Sequence, residues 1–298
     1  MKVTILGTGA MGCLMGYRLA AHAEVTLLGS WSEAVQALRT RGLQVEDERG
    51  VSTLQVRATT EPRDCAGCDL VLVLVKAWQT EAATRRAQSI LAPTGLALTL
   101  QNGIGNYEVL CEVYGTERAA AGATTSGATL LAPGHIRLGG SGNLQLGDHL
   151  RLASAVLLFE QAGLTVSVAA DRDAILWGKV VINAAINPLA ALLRVPNGEL
   201  ARRPSARELM QALAREGAQV AESASIPLPY ADASVRVLEV AEATAHNRSS
   251  MLQDVERGRQ TEIDAINGAI VARAQDLGLA APLNAAAWQL VRALQENP

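Results

Sequence analysis

Apolar residues follow two rhythms along this chain. In the first half, short runs at residues 3–6, 24–28 and 69–75 are apolar almost without a break, as strands require. Residues 10–21 and 31–41 instead place apolar side chains every three or four positions, the spacing of a helix with one buried face. Ala34, Val35 and Leu38 mark that face in the second of them. After Asp69 the run is aliphatic from Leu70 to Val75, which predicts a central parallel strand covered on both sides. Residues 43–46 and 54–57 read as two short strands around a polar turn at 47–50. A helix over 79–91 and a strand over 96–101 follow.

Strand patterns recur at 119–124, 129–131, 135–138 and 144–146, then a helix at 151–162 and a last strand at 165–168. From Asp171 onward the pattern is helix after helix, punctuated by Pro188, Pro196, Pro204, Pro227, Pro229 and Pro282. The expected fold class is therefore α/β: a Rossmann-type domain at 1–168, followed by an all-α domain at 169–298. Two domains also suit a length of 298 residues.

Composition changes this picture little. Apolar residues make up 49% of the chain and aromatic ones 3%, so Ala, Leu and Val must fill the core. A net charge of −3 gives no reason to expect nucleic acid or a membrane surface as partner. The chain opens directly on a strand pattern, without the order of a signal peptide, and has no apolar run of about 18 residues. A soluble cytoplasmic protein is expected. Cys65 and Cys68 have C-x-x-C spacing, but with no second pair and no nearby histidine they read as structural.

The first chemistry lies where the first strand meets the first helix. Gly7, Thr8, Gly9, Ala10, Met11 and Gly12 form a G-x-G-x-x-G turn in the strand–turn–helix context that receives a dinucleotide pyrophosphate. The first glycine permits the tight turn, the second leaves room for phosphate, and the third lets helix and strand approach closely. The helix N-terminus adds free N–H groups and a positive dipole end. The second strand ends at Leu28-Gly29-Ser30 with no acid to bond a ribose 2′-hydroxyl. Lys76, at the end of the 69–75 run and close to Gln79, can supply positive charge. This favours NADP.

Asn102, in Gln101-Asn102-Gly103, ends the next strand, where the nicotinamide half should fall; a solvent-facing Asn-Gly turn is the alternative. Lys179, Asn183 and Asn187 are four residues apart in a segment otherwise of Val, Ile and Ala. On a helix they form one polar stripe, facing either ligand or solvent. Ser249 or Ser250 can cap the helix that follows them. Spacing alone does not single out Glu262.

With Lys76-x-x-Gln79, Lys179-x3-Asn183-x3-Asn187-Pro188, Pro196-Asn197-Gly198-Glu199-Leu200, Ser249-Ser250-Met-Leu-Gln-Asp254 and Thr261-Glu262-Ile-Asp264-x-x-Asn267-Gly268, the chain resembles ketopantoate reductase (2-dehydropantoate 2-reductase) from residue 3 to about 270. The resemblance implies NADPH-dependent reduction of 2-dehydropantoate to (R)-pantoate, a step toward pantothenate and coenzyme A. It implies Lys179 as general acid and Asn102 in touch with both cofactor and substrate. Asn183, Asn187, Asn197, Asn247, Ser249 and Ser250 would hold the substrate. Ala128 and Glu262 would lie on the cofactor side, with Glu262 also near the reacting centre. In this family a basic residue usually ends the second strand, and Ser30 stands there instead, so NAD remains open as cofactor. Two other readings are a related 2-oxo acid reductase that makes a D-2-hydroxy acid, and a dinucleotide sensor without turnover. A homodimer is compatible with the sequence.

Overall fold

The computed structural model describes residues 1–140 and 142–296. The chain divides into two compact units: residues 1–101 with 106–172, and residues 102–105 with 173–298.

The first unit contains twelve strands among its described residues: β1 (Lys2–Leu6), β2 (Glu24–Leu28), β3 (Leu43–Asp47), β4 (Gly50–Leu54), β5 (Arg57–Thr59), β6 (Cys68–Val73), β7 (Leu91–Thr99), β8 (Ala119–Thr124), β9 (Ala128–Ala132), β10 (His135–Leu138), β11 (Asn143–Gly147) and β12 (Thr165–Ala169). Eight form one sheet in the order β12-β11-β8-β7-β6-β1-β2-β5, and β4-β3-β10-β9 form a second. From β5 to β8 every neighbour in the large sheet is parallel; only the β8–β11 pairing is antiparallel. Five helices connect the strands: α1 (Ala10–Leu19), α2 (Ser32–Arg41), α3 (Thr80–Arg86), α4 (Asn106–Tyr114) and α5 (Ala153–Gln161).

The apolar run Leu70–Val73 of β6 has its cause in this order. Between β1 and β7, its Leu70 and Leu72 face one core with Met15, Leu19 and Phe159, while Val71 and Val73 face another with Leu110, Val113 and Tyr114. The period of two along the strand feeds helices on both sides. Cys65 and Cys68 are buried in the second of these cores. Burial pushes both thiols up, Cys68 to about 11, so neither carries the thiolate that redox or metal chemistry uses.

Three elements differ from the sequence pattern. The strand expected at 54–57 is two: β4 pairs with β3 in the small sheet, and β5 joins β2 in the large one. A single apolar-rich stretch thus serves two sheets, which periodicity does not reveal. The helix expected over 79–91 ends at Arg86, because Leu91 already begins β7. The nine-residue α4 was not anticipated; it buries Asn106, Leu110, Val113 and Tyr114 and leaves Glu108 and Glu112 exposed.

Among its described residues the second unit has helices and no strand: α6 (Arg172–Leu193, its first residue in the first unit), α7 (Asn197–Arg202), α8 (Pro204–Ser223), α9 (Ala233–Ala243), α10 (Ser250–Glu256), α11 (Ala269–Asp276) and α12 (Pro282–Gln295). One π-helical turn, Asp264–Gly268, runs straight into α11. The core is built from small and aliphatic residues around α6, among them Val181, Ala184, Ala185, Met210, Ala214, Val237 and Ile270. By length and composition α6 could cross a bilayer. Of its apolar window, however, 78% is buried within the protein, as befits a core helix.

Candidate functional site

In the first unit, Gly7 adopts φ +123°, a conformation closed to most side chains, and a Cβ there would lie 2.9 Å from Leu74 O. Its N–H donates to Leu28 O at 2.9 Å, fastening the turn to the end of β2. A Cβ on Gly12 would fall 2.0 Å from Gly7 O, so only glycine lets α1 start this close to β1. Gly9, which precedes α1, has nothing within 4 Å of its missing Cβ. Two glycines are therefore required by the protein's own packing, while the middle one faces open space at a helix N-terminus. A pyrophosphate fits that cradle.

Around it, Thr8 is buried, Ala10 and Met11 are half-buried, and Ser30 is exposed beyond the tip of β2. Lys76, half-buried, precedes a 3₁₀ turn (Ala77–Gln79). Its backbone N–H donates to Gln79 Oε1 at 3.3 Å, and its carbonyl accepts the Gln79 N–H at 2.8 Å. Ala128 begins β9 in the small sheet. Gln101, the neighbour of Asn102, is buried and fixes the ends of two strands. Its Nε2 donates to Val75 O at 2.7 Å and Thr80 Oγ1 at 2.8 Å, and its Oε1 accepts from Thr99 Oγ1 at 2.8 Å.

The second unit gathers the other candidates. Lys179 and Asn183 are half-buried on α6 and Asn187 is buried, so the stripe is no solvated helix face. Burial pushes the Lys179 ammonium down to about 8, with the negative charge of Glu262 opposing that shift. Glu262 is itself buried, and its Oε2 accepts from Asn102 Nδ2 at 3.4 Å. Lysine, carboxylate and amide, far apart in sequence, thus converge within one unit.

Asn197 opens α7 and is buried. Its N–H donates to Asn247 O at 3.0 Å and its Nδ2 to Thr244 Oγ1 at 2.9 Å, while its Oδ1 has no protein partner. An acceptor buried without a donor is costly, which marks this atom as one a ligand could satisfy. A Cβ on Gly198 would lie 2.6 Å from the Ala245 Cβ, so α7 and the 244–247 turn meet at close range. Ser249 is the capping residue: its Oγ accepts the Leu252 N–H at 3.1 Å. Ser250 and Asn247 are exposed. Sequence spacing missed Thr244, whose hydroxyl orients Asn197, and Asn267, which is treated below. Among the described residues no group of three or more His, Cys, Asp or Glu side chains could hold a metal ion.

Comparison with known proteins gives the same outline. Residues 3–151 match the family model "Ketopantoate reductase PanE/ApbA" and residues 171–295 match "Ketopantoate reductase PanE/ApbA C terminal". A 2-dehydropantoate 2-reductase of Archaeoglobus fulgidus is 36% identical over 303 residues, covering 99% of this chain and 98% of the relative. Two solved structures superpose with a TM-score of 0.92, each covering 99% of both chains. One is a PanE/ApbA family ketopantoate reductase from Ralstonia eutropha at 33% identity, the other a D-mandelate dehydrogenase with NADH and anilino(oxo)acetate at 28%. Fold and comparisons together define an oxidoreductase with a Rossmann-type dinucleotide unit. Within that class, the chain belongs to the ketopantoate reductase PanE/ApbA family.

Proposed function

We propose that this protein reduces 2-dehydropantoate to (R)-pantoate with NADPH, in the route to pantothenate and coenzyme A. In this reading the glycine turn of the first domain, residues 1–168, holds the cofactor with Thr8, Ala10, Met11, Ser30, Lys76, Gln79 and Ala128. The second domain, residues 169–298, carries substrate binding and catalysis. The observation that carries the proposal is the half-buried Lys179, whose ammonium feels the charge of Glu262, which in turn accepts from Asn102.

The bound nicotinamide supplies the hydride to C2 of the 2-oxo acid. At the carbonyl oxygen, alkoxide charge develops, and Lys179 stabilises it and donates a proton. Its pKa of about 8 keeps it protonated at neutral pH yet more acidic than an exposed lysine. Glu262 keeps that ammonium charged and orients the Asn102 amide, which touches cofactor and substrate. Asn183, Asn187, Asn197, Asn247 and Ser250 hold the substrate hydroxyl and carboxylate; Asn197 Oδ1 is suited to accept from a hydroxyl. Ser249 spends its oxygen on the α10 cap, so its part is to shape the turn, and Ser250 is the serine of the two with a side chain to offer.

The test compares kcat/KM for 2-dehydropantoate with a panel of 2-oxo acids, using NADPH and NADH. A preference for 2-dehydropantoate of about 10-fold or more supports the proposal. Likeness to the D-mandelate dehydrogenase favours a second reading, an NADH-dependent reductase of another 2-oxo acid. Preference for an aromatic 2-oxo acid would establish that one instead.

A further inference from the structure

A proline and an asparagine meet at one carbonyl group. Pro188 lies inside α6 and has no N–H, so Ala184 O, four residues earlier, lacks the bond a helix normally gives it. Asn267 Nδ2 donates to that oxygen at 2.9 Å. The same nitrogen donates at 3.0 Å to Asn284 Oδ1, and Asn284 Nδ2 donates to Glu216 Oε1 at 2.8 Å and Leu213 O at 3.3 Å. Glu216 also accepts the Leu283 and Asn284 N–H groups at the start of α12, at 3.0 and 2.7 Å. Asn267 and Asn284 are completely buried. This chain of bonds ties α6, α8 and α12 to the π-helical turn Asp264–Gly268, in which Asn267 sits.

A π-turn is less favourable than the α-helix it interrupts and persists where its surroundings hold it. This one begins two residues after Glu262. Its Ala265 O accepts the Ile104 N–H at 2.9 Å, and Gly103, at φ +91°, lies so close that a Cβ would be 2.6 Å from the Ala265 Cβ. The 102–105 segment is thereby seated on the turn, from which Asn102 reaches Glu262. On another side Trp288 Nε1 donates to Asp264 Oδ1 at 2.7 Å, and the Trp288 ring lies against Gly268.

We infer that Asn267 is a positioning residue for the reaction: by filling the carbonyl that Pro188 leaves open, it fixes the π-turn against the Lys179 helix and so sets Glu262 and Asn102. This rests on the reading of Lys179 and Glu262 given above.

The experiment is Asn267→Ala, alone and combined with Glu262→Gln, in the full-length protein. The single variant should lose about 10-fold or more in kcat while KM and cofactor Kd stay within about twofold. Because Asn267 acts through Glu262, the double variant should be no slower than Glu262→Gln alone. Deuterium exchange should rise at 261–268 and stay unchanged in α8 and α9, a readout that needs no turnover. A folded variant with wild-type kcat, or one whose loss multiplies with that of Glu262→Gln, overturns the inference. If Asn267→Ala is insoluble, Trp288→Phe removes a single donor to the same turn and is judged by the same two criteria. Wild-type turnover of 2-dehydropantoate tests the functional reading separately; the inference is judged by ratios between variants on whichever 2-oxo acid the wild type reduces.

Discussion

Asn102 Nδ2 stands 3.4 Å from Glu262 Oε2, across 160 positions of sequence. The amide leaves the last parallel-strand crossing before α4, and the carboxylate sits just ahead of a π-turn, so neither local pattern announces the other. The Glu262 charge also acts on the Lys179 ammonium.

Lys179 gives the most direct prediction. Lys179→Ala should lower kcat by roughly 10²–10⁴-fold, the usual worth of a positioned acid, with little change in cofactor Kd. Because the proton must be present, kcat/KM in the wild type should be high below about pH 8 and fall as pH rises through that value. A flat profile from pH 6 to 9.5 would remove Lys179 from the acid role.

The same shift affects stability, with the opposite sense. Folding lowers this pKa from 10.5 to about 8, so between those values the unfolded chain binds more protons than the folded one. Stability should therefore rise with pH across that window as this contribution recovers. Lys179→Met should raise stability at pH 7, where the buried ammonium is a cost, and the gain should shrink toward pH 10.5. Urea melts at three pH values measure both.

Gly9 and Gly12 should separate binding from folding. Gly12→Ala sets a methyl against Gly7 O and should lower Tm by several degrees, as overpacking costs about 1–3 kcal/mol. Gly9→Ala meets no protein atom, so Tm should hold while the added methyl raises cofactor Kd about 10-fold or more. Thermal melts with and without cofactor distinguish the two. Equal loss of Tm in both would refute the division.

Ser249 and Ser250 are adjacent yet should behave differently. Ser249→Ala deletes the α10 cap and should cost about 1 kcal/mol of stability. Ser250→Ala touches no such bond and should leave Tm alone while raising the KM of the 2-oxo acid. If both serines alter KM alone, the capping role of Ser249 is wrong.

Cofactor choice should turn on Ser30. Ser30→Arg places a cation at the tip of β2 and should raise the NADPH-to-NADH ratio of kcat/KM by about 10-fold, through the 2′-phosphate. An unchanged ratio would assign that phosphate to other groups, with Lys76 the next to replace.

The parts legible in the sequence were those governed by local rules. A continuous aliphatic run marked β6, and glycines with steric duties marked Gly7 and Gly12. Proline punctuation marked the helical unit. The polar stripe of α6 could be drawn before the structure because three positions four apart must share a face. What could not be drawn depends on contacts distant in sequence. Residues 54–57 divide between two sheets because of what pairs with them, not because of their own pattern. Glu262 carries no periodic signal, since its significance comes from Lys179 and Asn102. Asn267 looks like any helical amide until the carbonyl vacated by Pro188, some 80 residues earlier, is brought to it.

The tetrapeptide 102–105 belongs with the helical unit although the chain on either side of it belongs to the sheet unit. The backbone therefore passes from one unit to the other three times, and no single cut separates them. A gene split at Arg172 would encode a helical fragment holding Lys179 and Glu262, yet its Ala265 carbonyl would lose the Ile104 N–H and its carboxylate the Asn102 amide. Such a half is short of four residues of its own unit. For anyone recombining modules within this family, the interchangeable part is thus the helical segment together with four residues borrowed from the middle of its neighbour.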